Sequence, residues 1–82
     1  MMARNPIHSR RKRIEQNIGR KLVEAREAVA MSRDELARLL DISPRTLCLY
    51  EEGDLRISAA RLAEAAHILQ RDITFFFEGI DE

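Results

Sequence analysis

The chain reads as an all-α domain of five helices, and three observations predict it. Apolar residues recur at helical spacing in successive stretches. No run alternates apolar and polar residues as a half-buried strand would. Serine and glycine stand where those stretches begin and end, and only three Gly and two Pro interrupt the whole chain.

Residues 1–13, MMARNPIHSRRKR, show no apolar periodicity and contain the Asn5-Pro6 turn signal, so they are expected to form a flexible basic arm. The domain proper is expected over 14–82. Ile14, Ile18, Leu22, Ala25 and Val29 are spaced as one face of a first helix, followed by an Ala30-Met31 connector. Ser32-Arg33-Asp34-Glu35 fits the S-x-x-E capping pattern and opens a second helix that buries Leu36, Ala37 and Leu40. Asp41-Ile42 makes a corner. Ser43 is the next N-cap, with Pro44 at the first helical position, where a missing N–H costs nothing. The third helix is expected to bury Leu47 and Tyr50 and to stop at Gly53. After a loop at 54–57, Ser58 caps a fourth helix with Leu62, Ala65, Ala66 and Leu69 inside. Asp72 to Thr74 turn the chain into a last short helix around Phe75, Phe76 and Phe77, closed by Gly79.

Bulk properties narrow the functional classes. Eighty-two residues make one small domain. A single Cys cannot form an internal disulfide, and no apolar run reaches the roughly 18 residues of a membrane span. A basic N-terminus without an apolar signal segment behind it leaves the cytoplasm as the expected compartment. Net charge is zero but unevenly spread. Residues 1–26 carry eight basic side chains against two acidic ones, a balance of +6, and residues 27–82 carry six against twelve, a balance of −6. A basic arm on an acidic body confines any attraction for phosphate to one end and one face.

Within RDELARLLDISPRTLCLYEE, residues 33–52, Ala37, Asp41 and Leu47 fall at the fifth, ninth and fifteenth places. A helix-turn-helix needs a small packing residue, a turn residue and an apolar anchor there, and its second helix, here about 43–52, is the one that enters the DNA major groove. The run from Ile18 to Gly79 then resembles the lambda-repressor/Cro-like helix-turn-helix family, the XRE-type regulators. The residues that carry the resemblance are Ile18-Gly19, Leu22 and Arg26, then Met31-Ser32, Glu35-Leu36-Ala37, Ile42-Ser43, Leu47, Tyr50-Glu51 and Gly53. Ser58 to Leu62 and Ile73 to Gly79 are similar to small regulators of alphaproteobacteria. The resemblance implies a lambda-repressor-like DNA-binding domain. It also implies a buried ion pair between Arg26 and Glu51, whose loss would leave a buried charge at a cost of about 3–5 kcal/mol.

Three departures from the family pattern bear on DNA reading. Arg33 replaces the usual Gln at the first place of the unit, where Gln bonds a backbone phosphate; Arg can do the same with added charge. Asp41 replaces the corner Gly and tolerates a left-handed backbone better than most residues. Pro44 and Leu49 take recognition-helix places where polar base readers are common, and neither donates a side-chain hydrogen bond.

The DNA-binding candidates are therefore Arg33, Ser43, Pro44, Arg45, Thr46 and Leu49, with Arg10, Arg11, Lys12 and Arg13 in the arm. Arg45 is placed to pair with guanine O6 and N7, or else to contact a phosphate. Ser43 and Thr46 suit phosphates or bases, although Ser43 also suits a cap. Leu49 suits a thymine methyl or an ordinary half-exposed position. Phe75, Phe76 and Phe77 cannot all be buried by one short helix, so they are the expected homodimer seam. Cys48, His8 and His67 form no metal spacing, and no nucleophile–base grouping or phosphate loop is present. The expected function is a non-enzymatic, cofactor-free and metal-free regulator, a homodimer on a roughly palindromic site in double-stranded DNA, without membrane attachment. The alternative is a protein-binding adaptor or antitoxin-like subunit on the same fold, with a protein partner in place of DNA.

Overall fold

A computed structural model of the protein describes residues 6–80, with side chains described from Arg11 onward. It consists of α1 (Pro6–Ala28), α2 (Arg33–Leu39), α3 (Pro44–Glu52), α4 (Ala59–Leu69) and a closing 3-10 turn, η1 (Ile73–Phe77). The described residues contain four α-helices rather than five, because the segment carrying the three Phe residues is too short to close α-type turns. Its bonds run i to i+3, from Phe75 N–H to the Asp72 carbonyl and from Glu78 N–H to the Phe75 carbonyl.

Each element after α1 begins on a side-chain cap. Ser32, Ser43 and Ser58 accept the backbone N–H of Glu35, Thr46 and Arg61 at 3.0, 3.0 and 3.1 Å. Asp72 accepts the N–H of Thr74 at 2.9 Å, which holds its carboxyl below the usual carboxylate range. Every α-helix ends the same way. A residue in left-handed backbone, Ala30, Asp41, Gly53 or Gln70, directs two N–H groups back onto the last turn. In α1 these bonds run from Ala30 to the Glu27 carbonyl and from Met31 to the Arg26 carbonyl, both at 3.0 Å.

α1 begins at Pro6, ahead of the expected start at Ile14. A proline at a first helical position and four consecutive Arg or Lys residues are all compatible with helix, and helix propensity operates without apolar periodicity. The boundary expected at residue 13 therefore falls inside a continuous helix, while residues 1–5 of the expected arm lie outside the described residues. At the other end Val29 is not part of the buried stripe. The helix closes at Ala28, and Val29 is left 45% exposed.

The core is Ile18, Leu22 and Ala25 from α1; Leu36, Ala37 and Leu40 from α2; Leu47 from α3; Leu62, Ala65, Ala66 and Leu69 from α4; and Phe75 and Phe76 from η1. Tyr50 packs at its margin, half-buried. α1 backs α3 closely enough that a Cβ at Gly19 would overlap the Glu51 carbonyl oxygen and lie 2.6 Å from that of Tyr50. Asn17, 4% exposed, fastens the end of the chain to α1 by donating to the carbonyls of Phe76 (3.2 Å) and Glu78 (2.9 Å). Arg61 of α4 donates to the Leu40 carbonyl at 2.6 Å and closes the end of α2. Leu47 and the close approach of α1 at Gly19 fix α3 by its inner face, while Ser43, Pro44 and Arg45 stay exposed.

Candidate nucleic-acid interface

α2 and α3 meet at a corner whose pivot, Asp41, has φ 58°. Leu47 is fully buried between α3 and the core, so the opposite side of α3 faces solvent. That side presents Ser43, Pro44 and Arg45 as exposed residues, with Thr46, Cys48 and Leu49 half-buried along it. Arg45 projects from the first turn. The Ser43 hydroxyl accepts the Thr46 N–H and shares a 2.9 Å hydrogen bond with the Thr46 hydroxyl, so both side chains are engaged in capping the helix. Cys48 lies 3.4 Å from a Glu52 carboxylate oxygen, and this contact raises its thiol pKa above the ordinary value. A raised thiol pKa disfavours the reactive thiolate.

Glu51 joins the two helices to α1. Arg26 donates from Nε to its Oε2 at 2.9 Å and from Nη2 to its Oε1 at 3.4 Å. Arg26 also donates from Nη1 to the Met31 carbonyl at 3.0 Å, which ties the end of α1 into the same network. Arg33 adds a second cation, its Nε donating to Glu51 Oε1 at 2.9 Å, and the hydrogen bond and charge of Glu51 raise its already high pKa. The Arg33–Glu51 contact joins residues 18 apart, and no local pattern in the sequence announces it, because it depends on how α2 crosses α3.

The basic residues before Ile14 divide. Arg11 and Arg13 are exposed. Lys12 reaches over the end of α3, donating to the Gly53 carbonyl at 2.8 Å and pairing with Asp54 at 3.0 Å. A cation at a helix C-terminus meets the negative end of the dipole, so Lys12 is occupied as a cap. The side chain of Arg10 lies outside the described residues.

The three Phe residues also divide. A 3-10 turn has three residues per turn, so consecutive side chains leave it about 120° apart. Phe76 is fully buried and Phe75 nearly so. Phe75 meets Phe76 edge-on at 5.3 Å and lies under Lys21 and Arg71 at 4.8 and 4.5 Å. Phe77 is 46% exposed and is the one aromatic left for a seam. It borders an apolar groove of about 420 Å³ together with Ile14, Ile57, Leu62 and Ile73, with Arg11 and Arg56 at its rim. The groove residues come from α1, the loop after α3, α4 and η1, and their separation along the chain hid them from sequence reading. Among the described residues no three His, Cys, Asp or Glu side chains cluster to hold a metal ion, and no helix is long and apolar enough to cross a membrane.

Two short capped helices around a left-handed corner, with the second held from behind and bare in front, define a helix-turn-helix unit. The chain belongs to the helix-turn-helix family of XRE type, whose family model, described as helix-turn-helix, matches residues 22–76. It is 40% identical over 70 residues to an uncharacterized HTH-type transcriptional regulator of Rickettsia conorii, covering 85% of this chain and 56% of that protein. It is 31% identical over 68 residues to an uncharacterized transcriptional regulator in the ATPase CF(0) region of Rhodospirillum rubrum, covering 83% and 63%. The chain thus spans little more than half the length of these relatives. Among solved structures it resembles the clp gene regulator ClgR of Corynebacterium glutamicum, with TM-score 0.75 and 25% identity over 78% of this chain and 68% of that one. The same helical unit also matches a third of the chain of hydroxypropylphosphonic acid epoxidase from S. wedmorenis, with TM-score 0.71 and 28% identity over 76% of this chain and 33% of that one. The curated relatives are named as regulators rather than enzymes. The match to part of an enzyme shows that the same fold occurs in proteins of different function.

Proposed function

We propose that this protein is a sequence-specific DNA-binding transcriptional regulator that acts in the cytoplasm as a homodimer on a roughly palindromic operator. The observation that carries the reading is the asymmetry of α3. Its inner face is anchored by Leu47 and Glu51, while its outer face offers Pro44, Arg45 and Leu49 to a groove-shaped partner. Arg45 reads a guanine edge, Leu49 packs on a thymine methyl, and Ser43 and Thr46 flank the backbone. Arg33 and the exposed Arg11 and Arg13 supply phosphate contacts, with Arg10 in the same basic run. With few base-reading side chains per subunit, two linked readers give what one lacks. Phe77 and Ile73 beside the apolar groove support a two-fold contact in which each subunit presents the same patch.

Binding-site selection from a randomised duplex pool tests this reading. The wild type is expected to recover one two-fold symmetric motif. Arg45→Ala is expected to weaken binding by about 1–3 kcal/mol and relax one base position in each half-site. Recovery of no motif by the wild type would instead favour the protein-binding adaptor, with the apolar groove as its contact surface.

A further inference from the structure

Glu51 is shared by two guanidinium groups with different needs. Its side chain is 2% exposed, and Arg26, at 9%, already meets it with two donors and satisfies its charge from within. Arg33 is not required for that burial. Its side chain is 47% exposed, and it touches the carboxylate through Nε alone, at 2.9 Å. Donation from Nε engages one edge of the planar group and leaves the end-on edge, with one N–H from each terminal nitrogen, outside the Glu51 contact. The two cations and one anion leave a formal charge of +1, and the exposed share of it belongs to Arg33. A planar, charged pair of N–H donors of this kind matches the geometry of a phosphate better than a point charge does.

We infer that Glu51 is a positioning residue that holds the Arg33 guanidinium as a preformed bidentate clamp for a DNA backbone phosphate. The inference rests on the DNA-binding reading above. Long side chains lose rotamer freedom when they bind; the Glu51 bond orders Arg33 before DNA arrives. Arg26 and Glu51 thereby do more than join α1 to α3, because they set the orientation of a contact on the binding face.

The test uses the full chain and the duplex that the wild type selects. Affinity is measured by fluorescence anisotropy across a salt series, and the Arg33 Nε–H signal is followed by NMR without DNA. Arg33→Ala is expected to fold and to lower the slope of log K against log salt by about 0.9, the value of one phosphate contact. Arg33→Lys is expected to keep the slope while losing about tenfold in affinity, because an ammonium cannot reproduce the fork. The wild-type Arg33 Nε–H is expected to be protected from exchange in the free protein. An unchanged slope in Arg33→Ala overturns the clamp while leaving DNA binding intact. A free, rapidly exchanging Nε–H overturns the positioning by Glu51. Failure of the wild type to select any duplex overturns the DNA-binding reading, and the clamp falls with it.

Discussion

Gly19 shows how one residue sets the distance between α1 and the candidate reading helix. Exchanging a mid-helix Gly for Ala normally gains about 1 kcal/mol in helix propensity. Here the added Cβ meets the backbone carbonyls of Tyr50 and Glu51, which cannot swing aside as a flexible side chain would. Overpacking therefore outweighs propensity, and Gly19→Ala is expected to destabilise the domain by about 1–3 kcal/mol, read as a lower urea midpoint. A midpoint at or above the wild-type value would show that α1 can move off α3 at little cost. Residue chemistry also separates groups that the sequence places side by side. Lys12 and Arg13 are neighbours in one basic run, yet Lys12 closes the end of α3 while Arg13 faces solvent.

At the scale of elements the helix ends follow one pattern with unequal residues. All four α-helices end on a left-handed residue, and only α3 uses glycine, Gly53 with φ 76°. Ala30 is the plainest mismatch: it is exposed, has φ 56° and carries a Cβ with no polar group to offset the strain. Ala30→Gly is expected to stabilise the domain by roughly 1 kcal/mol, which for a domain of this size raises Tm by about 4–8 °C. Calorimetry checks this, and a lowered Tm would show that the Ala30 methyl makes a contact worth more than the strain. The N-caps were legible in the sequence because Ser followed by a helical stripe is a local signal. The left-handed ends at Ala30 and Gln70 were not, since neither residue favours that conformation and the surrounding packing imposes it.

At the scale of the whole molecule, the proposed dimer needs a surface that links two copies of α3. Burial of Phe75 and Phe76 leaves the seam to Phe77, Ile73 and the groove beside them. Phe77→Asp changes an exposed position, so the fold should keep its stability to within about 0.5 kcal/mol. The same change is expected to give sedimentation as a 9.5 kDa monomer and weak operator binding. A wild type that sediments as a monomer at high concentration without DNA would remove the dimer from the proposal. The acidic body and the exposed Arg11, Arg13 and Arg45 also imply that binding should weaken steeply with salt.

The all-α class, the corner at Asp41, the caps at Ser32, Ser43 and Ser58, and the buried stripe of α4 can be read from local sequence. Each of these is a local rule: helical periodicity, a side-chain oxygen reaching a nearby N–H, a residue that tolerates a left-handed backbone. Local sequence also places Arg45 on the first turn of the third helix, because Ser43-Pro44 fixes where that turn starts. What crosses between elements emerges from packing in three dimensions. The second cation on Glu51, the reach of Lys12 over the end of α3, the hold of Asn17 on Phe76 and Glu78 and the separation of Phe77 from Phe75 and Phe76 all depend on helix crossings. Those crossings are set by the summed packing of the core, with Gly19 letting α1 approach α3, and no single stretch of sequence encodes them.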